Sequence, residues 1–448
     1  MRRTWTFRRW VAVAASTATV ALAVFLGAGL EGRPAAADSK PGHTASVPAA
    51  AKAATPSSAP TTSAPTTSAP ATSTRTPAAS APAGAAPAGP APAAAAPSPA
   101  TVPAPAWQDM PAALQSTISA FMAAQGPAGA AVAVSTPSAR YLSLNGYADV
   151  TSRQALTATD DFAFRSITKS FVGTVILQLV DEGRLTLTEP VATYIQGVPD
   201  GNAITVQDAL EMRTGLVEYS DTPAFSGQLD SIPDYGFTDN ELLLDAFHQP
   251  LDFAPGSDFE YSNTNFVLLG EVIAAVTGQS WDEQVGERIL RPLGLASVIY
   301  PPDASLGAVI AGAYETTADG LEAIGGTSDT LYSAAGGLSG NIGDLLSWGR
   351  ALGSGSLISP ALQAERESPV SDAADGDFTP AYDAYGMALG QLDGWWGHTG
   401  VGLGYESLVM YNRATDTTVA ILINTTLSDP NAAAALFRQL AGAAAGLP

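Results

Sequence analysis

The run Phe164-Arg165-Ser166-Ile167-Thr168-Lys169-Ser170-Phe171 is the stretch on which the reading of this chain turns. Its apolar positions continue in helical spacing through Val175, Leu179 and Val180, and Gly183 closes the pattern, so a helix is predicted over residues 166–182. Ser166 and Lys169 stand three residues apart, on one face of that helix. At a helix start, backbone N–H groups and the positive end of the dipole face the same point. A serine there is placed to attack a carbonyl while N–H groups hold the oxyanion, and a desolvated lysine is placed to take the serine proton. An N-capping serine beside an exposed lysine gives the same Ser-x-x-Lys. What sets this one apart is that Lys169 is the only lysine after Lys52, the other cations being arginine. Arginine keeps its proton in a protein and lysine can lose it, so a lone lysine marks a place for a titratable amine.

Outward from this helix the pattern is that of a mixed α+β domain. On the N-terminal side, Leu114, Ile118, Phe121 and Met122 give a helix over 111–125, and 130–135 and 141–147 read as strands. On the C-terminal side, 405–411 and 417–424 read as strands joined by a turn over 412–416, and 431–444 as a final helix. The middle, about 189–357, reads as helix and loop. Strands at both ends around a helical middle predict one antiparallel sheet built from N- and C-terminal strands and flanked by helices, with a helical subdomain inserted.

Three segments are expected: an export signal over 1–37, a tether over 38–105 and a serine hydrolase domain over 106–448, long enough to bury a core. Arg2, Arg3, Arg8 and Arg9 precede an apolar run from Trp10 to Leu30, and Ala35-Ala36-Ala37 is a small-residue cleavage pattern. Arg8-Arg9 also suits twin-arginine export. Left uncleaved, the apolar run is long enough to span a bilayer, the one route to membrane association. The tether is Ala, Pro, Ser and Thr, as in Thr61-Thr62-Ser63-Ala64-Pro65, without the large apolar side chains that offset the entropy of ordering. From Trp107 on, 40 Asp and Glu face 11 Arg and one Lys, a net charge of −28, which excludes nucleic acid as a partner. Without cysteine there is neither a disulfide nor a thiolate metal site. His43, His248 and His398 are too scattered for zinc, and no Gly-rich loop followed by lysine marks a nucleotide site, so neither metal nor cofactor is expected.

Two further motifs follow in order: Tyr261-Ser262-Asn263 after Pro255-Gly256, and His398-Thr399-Gly400 just before a predicted strand. With Ser166-x-x-Lys169 they resemble the motif set of the penicillin-recognising serine hydrolases, in the variants of D-alanyl-D-alanine carboxypeptidases, class C β-lactamases and related esterases. Leu179 to Leu185, Tyr261 to Phe266, and Gly336-Gly337-Leu338-Ser339 with Asp344-Leu345 fit the same resemblance, which covers about 110–440. It implies that Ser166 is the acylated nucleophile, Lys169 its base, and Tyr261 the relay to the leaving group. It further implies that Asn263 holds Lys169 and the substrate amide. The N–H groups of Ser166 and Val401 would form the oxyanion hole, and His398, Thr399 and Gly400 would line the edge strand on which substrate lies.

The resemblance also shows departures. Gly390 and Gln391 stand where some peptide-cleaving relatives carry arginine, and Val401 where those relatives often carry a hydroxyl residue. Recognition of a terminal carboxylate calls for a nearby cation, with Arg213 and Arg413 the candidates to supply one from elsewhere. Trp395-Trp396 is either a substrate wall or packing; Glu406 and Asp344 read as structural. The leading expectation is an exported carboxypeptidase acting on peptidoglycan stem peptides, with β-lactams as ligands. A β-lactamase or esterase is the alternative. A non-catalytic penicillin-binding sensor comes third, against the intact Ser166, Lys169 and Tyr261.

Overall fold

A computed structural model describes residues 105–232, 234–300, 311–325, 328–372 and 382–448. The expected export signal, and the tether up to residue 104, lie outside the described residues. The sheet runs through β1 (Trp107–Asp109), β2 (Gly129–Ser135), β3 (Arg140–Asp149), β4 (Ser371–Asp372), β5 (Ala384–Tyr385), β6 (Gly390–Leu392), β7 (Trp395–Gly402), β8 (Tyr405–Asn412) and β9 (Thr417–Ile423). Its spatial order is β1-β3-β2-β9-β8-β7-β6-β5-β4, with the two-residue strand Gln154–Ala155 on β3. All neighbours along the path are antiparallel except β1 and β3. The N- and C-terminal strands join where Val132 of β2 faces Ile421 of β9. This is the α+β architecture expected from the sequence.

Burial explains why these strands are central. Every residue of β9, Thr-Thr-Val-Ala-Ile-Leu-Ile, is buried, as in a strand covered on both faces. On one face lie α1 (Ala112–Gln125) and α5 (Ala432–Ala445), α1 burying Leu114, Ile118 and Phe121 as its spacing predicts. Trp395 meets Phe437 of α5 edge-on at 5.4 Å, so it is a packing residue. On the other face lies α4 (Ile342–Ser354), which holds α2 (Thr168–Asp181) in place. Trp348 of α4 stacks on Phe171 of α2 at 3.9 Å and donates its indole N–H to Ser170 Oγ at 3.0 Å. Beyond α2 lies the inserted helical subdomain, whose longest helix, α3 (Thr264–Thr277), packs directly on α2. Among the described residues no helix is long and apolar enough to cross a membrane.

Two local expectations change. Ser166 lies in a 3₁₀ turn, Arg165–Ile167, and the α-helix begins only at Thr168. Arg165 has φ 50°, a left-handed conformation that no α-helix accommodates, so the chain enters by a tight turn. The middle segment carries strands as well: Tyr314–Thr317 and Gly320–Ala323 form a hairpin beside Thr425–Thr426, and Ser339–Gly340 pairs with Phe162–Ala163. His398-Thr399-Gly400 stands before the predicted strand, β8, and is itself part of β7, the strand that the resemblance implied for it. Gly397, Gly400 and Gly402 weaken its strand signal, because glycine has little β-propensity.

Candidate active site

The tight turn at 165–167 presents Ser166 half-exposed while Lys169, one turn on, is fully buried. The Lys169 Nζ lies 2.6 Å from Asn263 Oδ1, 2.8 Å from Ala335 O and 3.0 Å from Ser166 Oγ. The first two oxygens only accept, so each takes an N–H of the amine. The remaining tetrahedral position faces the serine hydroxyl, as an N–H when the lysine is charged and as a lone pair when it is neutral. Burial brings the lysine pKa down to about 7, with Glu218 pulling the other way.

Asn263 precedes α3 at its N-cap, yet its side chain does not cap the helix. Its Oδ1 serves Lys169 instead, and its Nδ2 donates to Glu218 Oε1 at 3.1 Å, while its backbone N–H donates to Glu218 Oε2. Glu218, half-buried, also accepts from the Ser220 hydroxyl at 2.8 Å. No local pattern marks Glu218 in the sequence, since its partner is 45 residues away. Tyr261 places its ring centroid 5.0 Å from Lys169 Nζ. Its hydroxyl is buried beside Ser166 but makes no hydrogen bond of normal geometry. Burial first, then the neighbouring Tyr382, pushes its pKa well above the ordinary phenol value. Tyr261 is therefore a neutral phenol, and the titratable amine of the group is Lys169.

The other wall is β7. Its pairing with β6 stops at Gly397 opposite Gly390, so from His398 onward that side of the strand is unpaired by β6. A Cβ on Gly400 would lie 2.3 Å from Phe164 O and 2.9 Å from Ser166 N, so only glycine lets β7 lie against the Ser166 turn. Arg165 fastens the contact by donating from Nε to Gly402 O at 3.1 Å and from Nη2 to Leu403 O at 3.0 Å. The Thr399 N–H points away from β8, and strand alternation turns the Val401 N–H to the same side.

Thr399 donates its N–H to the Tyr382 hydroxyl at 2.6 Å and its Oγ1–H at 2.9 Å. His398 is fully buried. Its Nδ1 lies 2.6 Å from the Thr399 carbonyl oxygen, which can only accept, and this assigns the ring proton to Nδ1. Nε2 then accepts from the Tyr385 hydroxyl at 3.2 Å. Burial first, then Lys169, brings the imidazole pKa down to about 3, so His398 is uncharged at neutral pH. Neither Tyr382 nor Tyr385 was singled out by sequence reasoning. The arginines proposed as carboxylate anchors serve elsewhere. Arg213 donates to Val370 O and Gly256 O, and Arg413 to Gly353 O and Glu367. Glu406 accepts from the backbone of 427 and 433, and Asp344 from Ser297, both structural uses. Among the described residues no group of three His, Asp or Glu is arranged to hold a metal ion.

The sequence profile described as "Beta-lactamase" matches residues 114–444. Protein flp of Staphylococcus aureus (strain MW2) is 30% identical over 153 residues, 33% of this chain but only 30% of its own length. Among solved structures, a D-stereospecific amidohydrolase from Streptomyces sp. superposes with a TM-score of 0.63 at 29% identity, covering 74% of this chain and 98% of its own. The D-amino acid amidase of Ochrobactrum anthropi SV3, solved with L-phenylalanine amide, gives 0.65 at 24% identity over 74% and 98%.

Proposed function

From the premise that this chain belongs to the beta-lactamase family, and is a serine hydrolase of that fold, we propose that it hydrolyses amides of D-amino acids through an acyl-enzyme on Ser166. The observation that carries this is the Lys169 amine, buried, with one tetrahedral position aimed at Ser166 Oγ. Neutral Lys169 takes the serine proton as Oγ adds to the acyl carbon, and the N–H groups of Ser166 and Val401 hold the oxyanion. Tyr261 passes its proton to the departing amine and is reprotonated from the Lys169 ammonium. The C–N bond breaks; water then adds to the ester with Lys169 again as base, the acyl–Oγ bond breaks as Lys169 returns the proton to Ser166 Oγ, and the acid leaves. Asn263 keeps Lys169 on Ser166 throughout.

The substrate class rests on charge. A carboxypeptidase needs a cation for the terminal carboxylate, and Arg213 and Arg413, the candidates for it, are directed to other partners. The carboxylate of Glu218, held by Asn263 and Ser220 behind the site, adds negative charge there, which favours an aminoacyl ammonium over a carboxylate. The Streptomyces relative, described as a D-stereospecific amidohydrolase, supports the same class. The N-terminal arginines, apolar run and small-residue site support export, to the cell envelope or beyond.

The test is ammonia release from D- and L-phenylalanine amide by the purified protein, alongside a penicillin, a chromogenic cephalosporin and a D-Ala-D-Ala peptide. The D-amide is expected to be the preferred substrate, and Ser166→Ala to lower its turnover at least about 10³-fold. An unchanged rate in that variant would sink the acyl-enzyme. Faster cleavage of the D-Ala-D-Ala peptide than of the amide would return the carboxypeptidase reading.

A further inference from the structure

Three polar groups at the open end of β7 meet one oxygen. The Thr399 N–H and hydroxyl lie 2.6 and 2.9 Å from the Tyr382 hydroxyl, and His398 Nδ1 lies 3.1 Å from it. The backbone N–H and hydroxyl of Thr399, converging on one acceptor, make a pair of donors suited to a ligand carboxylate, with His398 Nδ1, its proton on the Thr399 carbonyl oxygen, beside them. Here a side chain of the protein fills that place. Tyr382 is 3% exposed and its phenol pKa is pushed up by burial, so the occupant is uncharged.

The ring has a seat made for it. A Cβ on Gly390 would lie 2.3 to 2.6 Å from three atoms of the Tyr382 ring, so the tyrosine lies flat over β6 only because residue 390 has no side chain. Tyr385 braces the same corner, its ring centroid 5.6 Å from that of Tyr382 and 6.0 Å from that of Tyr261. The leaving amine takes its proton from Tyr261, so it departs on the side of Ser166 where Tyr261, His398 and Thr399 stand.

We propose that Tyr382 is a specificity-determining plug on the leaving-group side. Its ring occupies the room, and its hydroxyl the hydrogen-bond donors, that a leaving amino acid with a free carboxylate would need. The protein therefore releases small uncharged leaving groups such as ammonia or a short amine. This rests on the acyl-enzyme reading above and adds to it a limit on the departing half of the substrate.

The experiment compares kcat/KM for D-phenylalanine amide and D-phenylalanyl-D-alanine in the full-length protein and in two variants. The wild type is expected to favour the amide by about tenfold or more, and Tyr382→Ala to raise the dipeptide-to-amide ratio at least about tenfold, chiefly through a lower dipeptide KM. Tyr382→Phe keeps the ring over Gly390 and is expected to stay within about threefold of the wild-type ratio. A wild-type ratio near one, or a Tyr382→Ala ratio like the wild type's, overturns the plug. Should Tyr382→Ala not fold, the wild type decides alone on the N-methyl and N-butyl amides of D-phenylalanine. A steep fall with length supports the plug, and equal rates refute it. If no D-phenylalanine amide is turned over, the substrate reading fails by itself. The plug is then read on an ester donor the protein accepts, as the ethyl ester against the lactate ester of one acyl group: a preference for ethyl supports it, and equal rates overturn it.

Discussion

A single amine decides the chemistry, because Lys169 has three partners and two of them can only accept. Acylation therefore rises with pH as the ammonium, with its pKa near 7, gives up the proton that blocks its lone pair. A neutral nitrophenyl acetate, read as burst-phase acylation, should show one ascending limb centred about there; a flat profile from pH 5 to 9 would remove Lys169 as base. Glu218 holds that pKa up, so Glu218→Gln should move the limb to lower pH, and a shift to higher pH would contradict the assigned electrostatics. Lys169→Arg keeps the charge and cannot supply a lone pair, so acylation should fall by about 10² to 10⁴. Ser166 and Lys169 were legible in the sequence because a lone lysine in an arginine-using domain is visible without coordinates. Glu218, Tyr382 and Tyr385 were not, since each acquires its meaning from a partner brought in by folding, 13 to 45 residues away.

Strands and helices set the next scale, and there Glu406 is the telling residue. It stands on β8 opposite Val401, fully buried, accepting from the Leu427 N–H at 2.9 Å and from the Ala433 N–H, in the first turn of α5, at 3.2 Å. Burial outweighs those two donors and raises its pKa from the ordinary 4.5 to about 8. The folded state thus holds a proton that the unfolded chain releases near 4.5. The stability this gives is full below pH 4.5 and is lost as pH rises through 8. Relative to Glu406→Gln, urea midpoints of the parent should fall with pH between 6 and 8, the opposing contributions of Lys169 and His398 being common to both proteins. Glu406→Gln should flatten that slope, at a pH-independent cost of about 1 kcal/mol for one lost acceptor. Parallel slopes in the two proteins would rule Glu406 out as the titrating group. The neighbouring elements α1, β2, β3, β8, β9 and α5 were legible because their apolar periods are long and bounded by Gly or Asn. β7 was not, because the glycines that let it lie against Ser166 also erase a strand's usual pattern.

Over the whole molecule charge dominates, −28 from Trp107 onward, with few cations to offset it. Like charges repel most when compact and unscreened, so raising NaCl from about 10 to about 200 mM should lift the melting temperature by a few degrees. A fall would mean that surface ion pairs such as Arg350–Asp416 outweigh the repulsion. The α+β class was legible from strands at both ends of the domain. The pairing of β2 with β9 was not, because alternation shows which face of a strand is buried and not which strand lies beside it. The side-chain-free seat at Gly390 bears on how such a molecule can change over generations. Any side chain at 390, a cationic one included, collides with the Tyr382 ring, so its effect depends on what stands at 382. Loss of the tyrosine has to come first and the new residue second; the reverse order passes through a damaged intermediate. The two positions are thus coupled: what residue 390 can become is set by whether an aromatic ring stands at 382.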